Sequence, residues 1–291
     1  MKFIIVLLLA LPSMSLPAQD DLMNILDSVT TPKTEYSSAT FKGTKIISGQ
    51  SVEAMKEGQL LFNISHRFGR LNSGVSNFWG IDQSLIYLSF EYGVTDWLEV
   101  GIGRTVYEKT VTGYSKISLL NQSKGERFMP VSISYFGSVA ANTQKWDNPE
   151  RTNYFSSRLT YVNQFLIARK FSDAFSLQLS PTYLHRNLVP TALDNNDLFA
   201  MGIGGRYKLT NRISVNFEYF YVLRPTWNVQ TEFTNPISIG FDIETGGHVF
   251  QIMLSNSSGM IEKHYIADNT GDWTKGELHL GFNLTRVFTL F

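Results

Sequence analysis

Histidines close to carboxylates or hydroxyls are the residues of this sequence that could carry out hydrolysis. The candidates are His264 with Asp268, and His66 or His248 with a hydroxyl such as Ser65 or Ser255. Such a reaction needs a nucleophile, a general base and an orienting group held in one geometry. No group of residues has the spacing that would fix this geometry, so we predict no catalytic residues.

Metal and cofactor chemistry has equally little support in the composition. The sequence has five histidines and no cysteine, and the histidines lack the i, i+4 spacing of a helical metal site. The lack of cysteine also excludes disulfides, thiol catalysis and a lipidated cysteine. Equal numbers of basic and acidic residues, 25 of each, provide no net charge that would attract nucleic acid. We therefore predict no metal ligand, no cofactor and no nucleic-acid partner.

The elements that must position these side chains are short strands. From Ile213 to Tyr221 every second residue is apolar, so a strand there has one apolar and one polar face. Twelve segments between residues 59 and 291 have strand character. They are 59–67, 83–92, 97–106, 112–120, 130–139, 155–171, 174–186, 198–209, 212–223, 237–244, 248–256 and 276–291.

Connections between these segments alternate in length. Residues 93–96, 172–173, 210–211 and 245–247 make tight turns, whereas 68–82, 140–154, 187–197, 224–236 and 257–275 are long. Short turns at one end and long loops at the other are typical of outer-membrane barrels, and closure leaves no unpaired strand edge in lipid. The sequence therefore predicts an all-β fold, a closed antiparallel transmembrane barrel of about twelve strands over residues 59–291.

The N-terminal residues have the features of a secretory signal. Lys2 precedes an apolar stretch over residues 3–11, which is too short to span a bilayer as a helix, and small residues lead up to Ala18. We predict a signal peptide over residues 1–18, cleavage near Ala18, and export to the outer membrane of a Gram-negative bacterium. Residues 19–58 are predicted to form a pre-barrel segment with a short amphipathic helix over 21–29, a linker and a plug in the lumen or at the periplasmic mouth.

Four charged side chains fall on the polar phase of the predicted strands: Arg67, Glu91, Glu99 and Glu218. The polar face of a transmembrane barrel lines the lumen. These residues could pair with one another and fill the interior, because buried charges are normally paired. Alternatively, they could line a permeation path and set its selectivity. The width of the lumen decides between these two alternatives, since a barrel of about eight strands encloses only side chains and one of about sixteen encloses a channel.

Four tryptophans lie in the long loops, at Trp79, Trp146, Trp227 and Trp273. Tryptophan is enriched where a membrane protein meets the interface, so these residues are expected in an outer girdle or in loop packing. The alternative is that they stack on a sugar or another ring, because an aromatic face suits that contact.

The last strand indicates an assembly partner. Phe291 ends this sequence, and a terminal aromatic residue on a membrane strand resembles the signal that bacterial barrel-assembly machinery recognises. Phe291 has the parity of the polar face, so we predict a bulge near Arg286 that restores the phase. The predicted partners are therefore outer-membrane lipid and the barrel-assembly machinery.

Several short motifs occur in a characteristic order. They are Phe41-Lys42-Gly43-Thr44, His66-Arg67-Phe68-Gly69, Trp79-Gly80-Ile81-Asp82-Gln83, Gly101-Ile102-Gly103-Arg104 and Glu244-Thr245-Gly246-Gly247-His248. Over residues 40–291 the chain resembles an uncharacterised family of bacterial outer-membrane β-barrels, a domain of unknown function. The resemblance implies a barrel and its location, and it implies no substrate or catalytic residue.

The expected function is transport. A narrow or gated pore for a small solute, not identified by the sequence, agrees best with lumen charges and an intermediate strand number. The main alternative is a non-catalytic scaffold whose outer loops bind a ligand or partner, and the lesser alternative is an outer-membrane hydrolase such as a lipase or protease. A further alternative is a soluble periplasmic or secreted barrel. A continuous apolar band of outward-facing residues would argue against it, because water solvates such a band poorly.

Overall fold

A computed structural model describes residues 33–191, 194–224 and 233–290, and in them twelve antiparallel strands close into a barrel. The strands are β1 (Gln59–Arg70), β2 (Ser84–Thr95), β3 (Leu98–Thr105), β4 (Val111–Leu120), β5 (Ser132–Ala141), β6 (Leu159–Lys170), β7 (Phe175–Arg186), β8 (Asp197–Lys208), β9 (Ile213–Leu223), β10 (Ile237–Thr245), β11 (His248–Ser255) and β12 (His279–Thr289). Each strand pairs with its neighbours in sequence, and β12 pairs with β1. The predicted all-β antiparallel barrel is confirmed.

Some predictions concern residues outside those that the structure describes. These are the signal peptide over residues 1–18, the amphipathic helix over 21–29, Trp227 and Phe291.

The exterior of the barrel is apolar because outward residues that pair with one another across neighbouring strands are apolar. One row of paired residues runs Leu88, Ile64, Leu284, Phe250, Ile243 and Ile213 across six strands. A second row runs Ile133, Ile167, Leu179, Ile203, Tyr219 and Ile237. Continuous rows of this kind are poorly solvated by water and suit acyl chains.

The two ends of the barrel differ in their connections. At one end, here called the turn end, lie the short connections and the start of β1, where Gln59 pairs with Thr289 of β12. The opposite end, here called the loop end, carries the connections 71–83, 106–110, 142–158, 187–196, 224–236 and 256–278.

Within the described residues, helical turns occur only in the loop-end connections. They are the 3-10 turns Leu71–Ser73, Val75–Gly80, Tyr107–Lys109, Phe155–Arg158 and Trp273–Lys275, and the π-helical turn Lys263–Ala267. None of the helices within the described residues is long and apolar enough to cross a membrane.

One connection at the turn end is longer than a tight turn because it binds the pre-barrel segment. Between β4 and β5, Ser123–Lys124 forms a two-residue antiparallel sheet with Glu35–Tyr36. The described part of the chain therefore begins at the turn end, and the chain enters the barrel from that end.

Two local predictions are wrong. The strand predicted over 155–171 begins at Leu159, because Phe155–Arg158 forms a 3-10 turn. There is no bulge near Arg286: the pairing of β12 with β1 is regular from Gly281 to Thr289, and its irregularity lies between His279 and Gly281. Arg286 keeps the outward phase, with its guanidinium 4.8 Å from the centroid of the Phe288 ring.

Glycines on the inward phase of β3 make room for aromatic rings from the adjacent strands. A Cβ on Gly101 would lie 2.2 Å from the Tyr114 ring, and a Cβ on Gly103 would lie 2.2 Å from the Tyr87 hydroxyl. Tyr87 and Tyr114 are both buried inside the barrel. The bare positions in Gly101-Ile102-Gly103 thus allow the lumen to be packed closely.

Candidate functional site

The lumen wall is lined by polar side chains. Arg67, Glu91, Glu99 and Glu218 are all buried inside the barrel. Among the described residues, Glu99 is the only one of these four with an oppositely charged atom within 4 Å, the Nζ of Lys116 at 3.6 Å. The interpretation that the four charges pair with one another is therefore wrong.

The other lumen charges hydrogen-bond to neutral groups, while Glu91 Oε2 and Arg67 Nε make no hydrogen bond within the described residues. Glu91 accepts a hydrogen bond of 3.1 Å from the hydroxyl of Tyr114. The guanidinium of Arg67 donates to Asn283 Oδ1 at 3.0 Å and to Ser48 Oγ at 3.1 Å. Ser48 belongs to the pre-barrel segment, so the wall charges bind a second part of the chain.

Residues 40–53, here called the plug, occupy the lumen from the turn end. Within the plug, the amide of Ile46 donates to Gly49 O at 2.9 Å and the amide of Ser51 donates to Thr44 O at 2.8 Å. These bonds close a small hairpin, in which Lys45 pairs with Gln50. All residues from 44 to 52 are buried. The pre-barrel segment is thus an inserted body with its own hydrogen bonds.

The tip of the plug binds the carboxylate of Glu218. The amides of Ile47, Ser48 and Gly49 donate to this carboxylate at 2.6, 2.9 and 3.0 Å. Hydrogen bonds to a charged acceptor are stronger than neutral ones, and three amides together balance much of its desolvation. A Cβ on Gly49 would lie 2.9 Å from the Phe220 ring, so glycine allows the tip to approach the wall.

The rest of the plug backbone is also bound by wall side chains. Lys116 Nζ donates to the carbonyl oxygens of Thr44 and Glu53. Gln178 accepts from the amide of Val52 through Oε1 and donates to Gln50 O through Nε2. Gln251 donates to Ile46 O, and Asn283 donates to Ile47 O. These distances lie between 2.7 and 3.1 Å. Side chains of the wall therefore bind the backbone of the plug, and the plug takes no part in the pairing of the twelve strands. Removing the plug would leave the barrel closed.

The connection 256–278, here called the inner loop, occupies the lumen from the loop end. Tyr265, Ile266 and Ala267 are fully buried. They pack against inward apolar residues of β6 to β9, namely Val162, Leu184, Leu198, Ala200, Phe220 and Val222. The rings of Tyr265 and Phe220 are 5.1 Å apart. Burial of apolar surface therefore holds the inner loop in place.

The plug and the inner loop meet inside the barrel. Lys45 Nζ lies 3.5 Å from Met260 O, and Gln50 Nε2 donates to Glu262 Oε1 at 3.2 Å. Lys45, Lys116 and Glu262 were not predicted from the sequence. Lys116 could have been found, because it has the same inward phase in β4 as Tyr114. In this state the lumen is occupied from both ends.

A cluster of titratable groups lies at the loop end. Glu108, from the connection between β3 and β4, faces His264 and Asp268 of the inner loop. Burial lowers the pKa of His264 and raises the pKa of Asp268. Burial also disfavours the ionised form of Glu108, but His264 and Lys263 outweigh it and lower the pKa of Glu108 to about 2. The structure thus brings together His264 and Asp268, paired in the sequence analysis, and adds Glu108.

A cavity of about 330 Å³ lies beside this cluster and is lined by residues of several loops. Trp146 is in its wall, with the guanidinium of Arg158 3.8 Å from its ring centroid. Of the other loop tryptophans, Trp79 is exposed and Trp273 donates its indole N–H to Ile237 O at 3.0 Å. Trp146 is thus the described tryptophan that faces a space large enough for a ligand.

The other histidine and hydroxyl candidates are not brought together. His66 points outward and stacks on Phe282 with centroids 5.0 Å apart, whereas the adjacent Ser65 is buried in the lumen. His248 begins β11 at the turn end, and Ser255 ends the same strand at the loop end. These pairs therefore cannot share a proton in this state.

The family-like motifs have structural roles in the described residues. In His66-Arg67-Phe68-Gly69 the rings of His66 and Phe68 lie 4.3 Å apart, and a Cβ on Gly69 would lie 3.0 Å from Gly80 O. Gly246 and Gly247 form the two-residue turn before His248, and both have positive φ.

Solved outer-membrane barrels resemble this chain at low identity. The KdgM porin is 8% identical with a TM-score of 0.46, covering 79% of this chain and 99% of its own. The COG4313 outer membrane channel from Pseudomonas putida F1 is 12% identical with a TM-score of 0.45, covering 81% and 98%. Outer membrane phospholipase A from Escherichia coli is 10% identical with a TM-score of 0.39, covering 81% and 91%.

Sequence comparison identifies a family without assigning an activity. No curated protein matches the chain significantly. The model of the family described as a membrane bound beta barrel domain (DUF5777) matches residues 41–288, which include most of the plug and nearly all of the twelve strands. This chain therefore belongs to that family of membrane-bound β-barrel domains.

Proposed function

We propose that this protein is a gated pore for a small polar solute, and that the plug closes it in the state described. The observation that carries the proposal is the way the plug is held. Its backbone is bound by wall side chains such as Glu218, Gln178 and Lys116, and it shares no strand pairing with the barrel. The plug can leave by exchanging these hydrogen bonds for bonds with water and by exposing the apolar side chains of Phe41, Ile46, Ile47 and Val52, without breaking any strand pair of the barrel.

The wall behind the plug supports a hydrated passage. Its inward residues include Asn63, Ser65, Gln164, Gln178, Asn216, Gln251 and Asn283. Polar side chains of this kind can bind water or a polar solute once the plug has left. The charges of Arg67, Glu99 and Glu218 would then face the passage and influence which solutes enter.

The proposed location is the outer membrane of a Gram-negative bacterium, with the turn end in the periplasm. The family description, the apolar rows of the exterior and the position of both barrel termini at the turn end support this orientation. Cleavage of the signal peptide near Ala18 and recognition of the strand that leads to Phe291 by the barrel-assembly machinery belong to the same proposal.

Conductance of the purified protein in planar bilayers tests the pore. We expect rare openings for the wild type and steady conductance for a variant lacking residues 40–53, either alone or with the inner loop shortened. A variant lacking the exposed residues 147–151 is the matched control and should behave as the wild type. Folding of each variant is checked by its heat-modifiable gel migration. Folded variants without the plug and inner loop that conduct no ions would rule the pore out.

A second candidate is a scaffold whose outer loops bind a ligand. The 330 Å³ cavity with Trp146, Lys145 and Arg158 in its wall favours it, because an aromatic ring beside cations suits an anionic or ring-shaped ligand. Screening detergent-solubilised protein against a glycan array tests the idea. Loss of a bound glycan in the Trp146→Ala variant, with unchanged conductance, would favour the scaffold.

A further inference from the structure

His264 is a buried side chain whose ring nitrogens make no hydrogen bond of normal geometry in the described part of the chain, although Glu108 Oε2 lies 3.4 Å from Nε2. Its exposed fraction is 2%, and neither Nδ1 nor Nε2 makes a hydrogen bond within the described residues. Buried polar groups are nearly always hydrogen-bonded, and each exception needs an explanation such as a missing water or ion. The inner loop is packed around Tyr265 and Ile266, and this packing holds the adjacent His264 ring in its buried position.

Two carboxylates lie within ligand distance of this ring. Glu108 Oε2 is 3.4 Å from His264 Nε2, and one ligand atom each from Glu108, His264 and Asp268 lie within 4.8 Å of one another. Asp268 Oδ2 is also buried without a hydrogen-bond partner. Ligands at about 2.1 Å from a tetrahedral zinc ion are about 3.4 Å apart, so a shift of roughly 1 Å would complete the three-ligand set.

The site has space for an exchangeable ligand. The 330 Å³ cavity reaches Glu108 and Asp268, and a second cavity of about 90 Å³ is lined by His264, Asp268 and Tyr107. Three protein ligands with an open position are the arrangement of a zinc site that keeps a water or binds a further molecule.

Two basic side chains form ion pairs with the carboxylates. Lys263 forms an ion pair with Glu108, and Arg186 Nη1 lies 3.1 Å from Asp268 Oδ1. Arg186 occupies one oxygen of Asp268 and leaves Oδ2 free. Lys263 occupies the same Glu108 oxygen that lies nearest to His264 Nε2, so Lys263 competes directly with a metal ion.

We propose that Glu108, His264 and Asp268 form a binding site for one divalent transition-metal ion, of which Zn²⁺ is the preferred candidate. An imidazole with two carboxylates suits Zn²⁺, Mn²⁺ or Fe²⁺, and zinc binds most tightly of these three to nitrogen and oxygen ligands. The bound ion would join the inner loop to the connection between β3 and β4. The proposal is independent of whether the barrel conducts.

Isothermal titration calorimetry with zinc chloride tests the site. The full-length protein is used without an affinity tag and after treatment with a chelator. We expect about one equivalent to bind. His264→Ala should weaken binding by at least roughly tenfold, in line with the loss of a ligand or its support. His185→Ala is the matched control, because His185 pairs with a single carboxylate, Asp197 at 2.7 Å, and should bind zinc as the wild type does. Equal affinity of the wild type and His264→Ala would overturn the proposal.

Lys263→Met distinguishes a metal site from a purely structural cluster. If zinc displaces the ammonium from Glu108, removing it should tighten binding on the order of tenfold, because the competing charge is gone. If Lys263→Met binds no more tightly than the wild type, the proposed geometry is wrong. Binding of Co²⁺ in place of zinc gives a second readout. Visible absorption should appear in the wild type and be absent in Asp268→Asn. The Asp268→Asn variant replaces His264→Ala if that variant does not fold.

Discussion

The lumen is filled by two segments that are held in different ways. At the turn end the plug is bound by polar contacts, with Glu218 accepting three backbone hydrogen bonds and Lys116 donating to two carbonyls. At the loop end the inner loop buries Tyr265 and Ile266 against the inward apolar residues of β6 to β9. The plug also buries Phe41, Ile46, Ile47 and Val52 beside Ala168 and Met253 of the wall. The difference is therefore one of proportion: hydrogen bonds from wall side chains to the backbone are numerous for the plug, and the apolar cluster with the wall is larger for the inner loop.

This difference indicates which segment is built to move. Hydrogen bonds to a departing segment can be replaced by bonds to water, so their net contribution is small. Apolar surface exposed by a departing loop has no such replacement, and the cost increases with the area exposed. The plug is therefore the expected gate, and the inner loop is expected to stay as a fixed part of the interior.

The largest effect is expected at the apolar contact of the inner loop. Tyr265→Ala should destabilise the folded protein by about 3–5 kcal/mol, because it removes a fully buried ring and leaves a cavity beside Phe220. Unfolding in detergent, followed by gel migration at increasing urea concentration, measures it. Tyr154→Ala, at a site that is 65% exposed, is the control. Equal midpoints for the two variants would contradict the apolar half of the comparison.

The next effect concerns the tip of the plug. Glu218→Gln should weaken the seating of the plug by about 2–3 kcal/mol, because the amide has one acceptor oxygen and no charge for three donors. A Thr44→Cys reporter measures plug release through its rate of maleimide labelling, since the chain has no other thiol. The exposed Glu57→Gln is the control. Faster labelling without a lower unfolding midpoint is expected, and a lower midpoint without faster labelling would argue against a separable plug.

A smaller effect is expected from crowding between plug and wall. Gly49→Ala should cost about 1–3 kcal/mol in plug seating, because the new methyl lies 2.9 Å from the Phe220 ring and 3.2 Å from Glu218 Oε1. Gly43→Ala is a control in the same hairpin, where the nearest atom would be 3.9 Å away. The same labelling assay should separate the two variants, and identical rates would mean that the tip does not fit the wall as described.

The smallest effect is expected at the rim of the plug. Lys42 and Glu244 form an ion pair whose side chains are both partly exposed. Lys42→Ala should change plug seating by only about 0–1 kcal/mol, because solvent screens such pairs. Labelling of the same reporter measures it in low and high salt. A change as large as that of Glu218→Gln would place the main contact at the rim instead of the tip.

The local alternation of apolar and polar residues was sufficient to predict most of the fold. The alternation in Ile213 to Tyr221 predicted β9, and twelve predicted segments correspond to the twelve strands within a few residues at each end. The reason is that every outward residue has the same surroundings wherever the strand lies, so its type does not depend on distant parts of the chain. The predicted bulge near Arg286 was wrong because it relied on the parity of the single residue Phe291, whereas the pairing of β12 with β1 is regular from Gly281 to Thr289.

The filling of the lumen was less predictable. Inward phase identified Arg67, Glu91, Glu99 and Glu218, but their partners come from distant segments and could not be read from spacing. One available signal was overlooked. On β6, β7 and β9 the inward phase becomes apolar at the loop end, with Val162, Leu184 and Val222, which indicates that something apolar is packed there.

The amino-acid sequence alone determined that the chain closes into a membrane barrel, because a two-residue apolar period is imposed by lipid on every strand in turn. Only the tertiary structure decided what fills it. The contacts of Glu218 with residues 47–49, and of Glu108 with His264, join parts of the chain that lie far apart and become neighbours only when β12 pairs with β1 and the barrel is closed. Such contacts leave no periodic trace, since each depends on the position of one segment inside another.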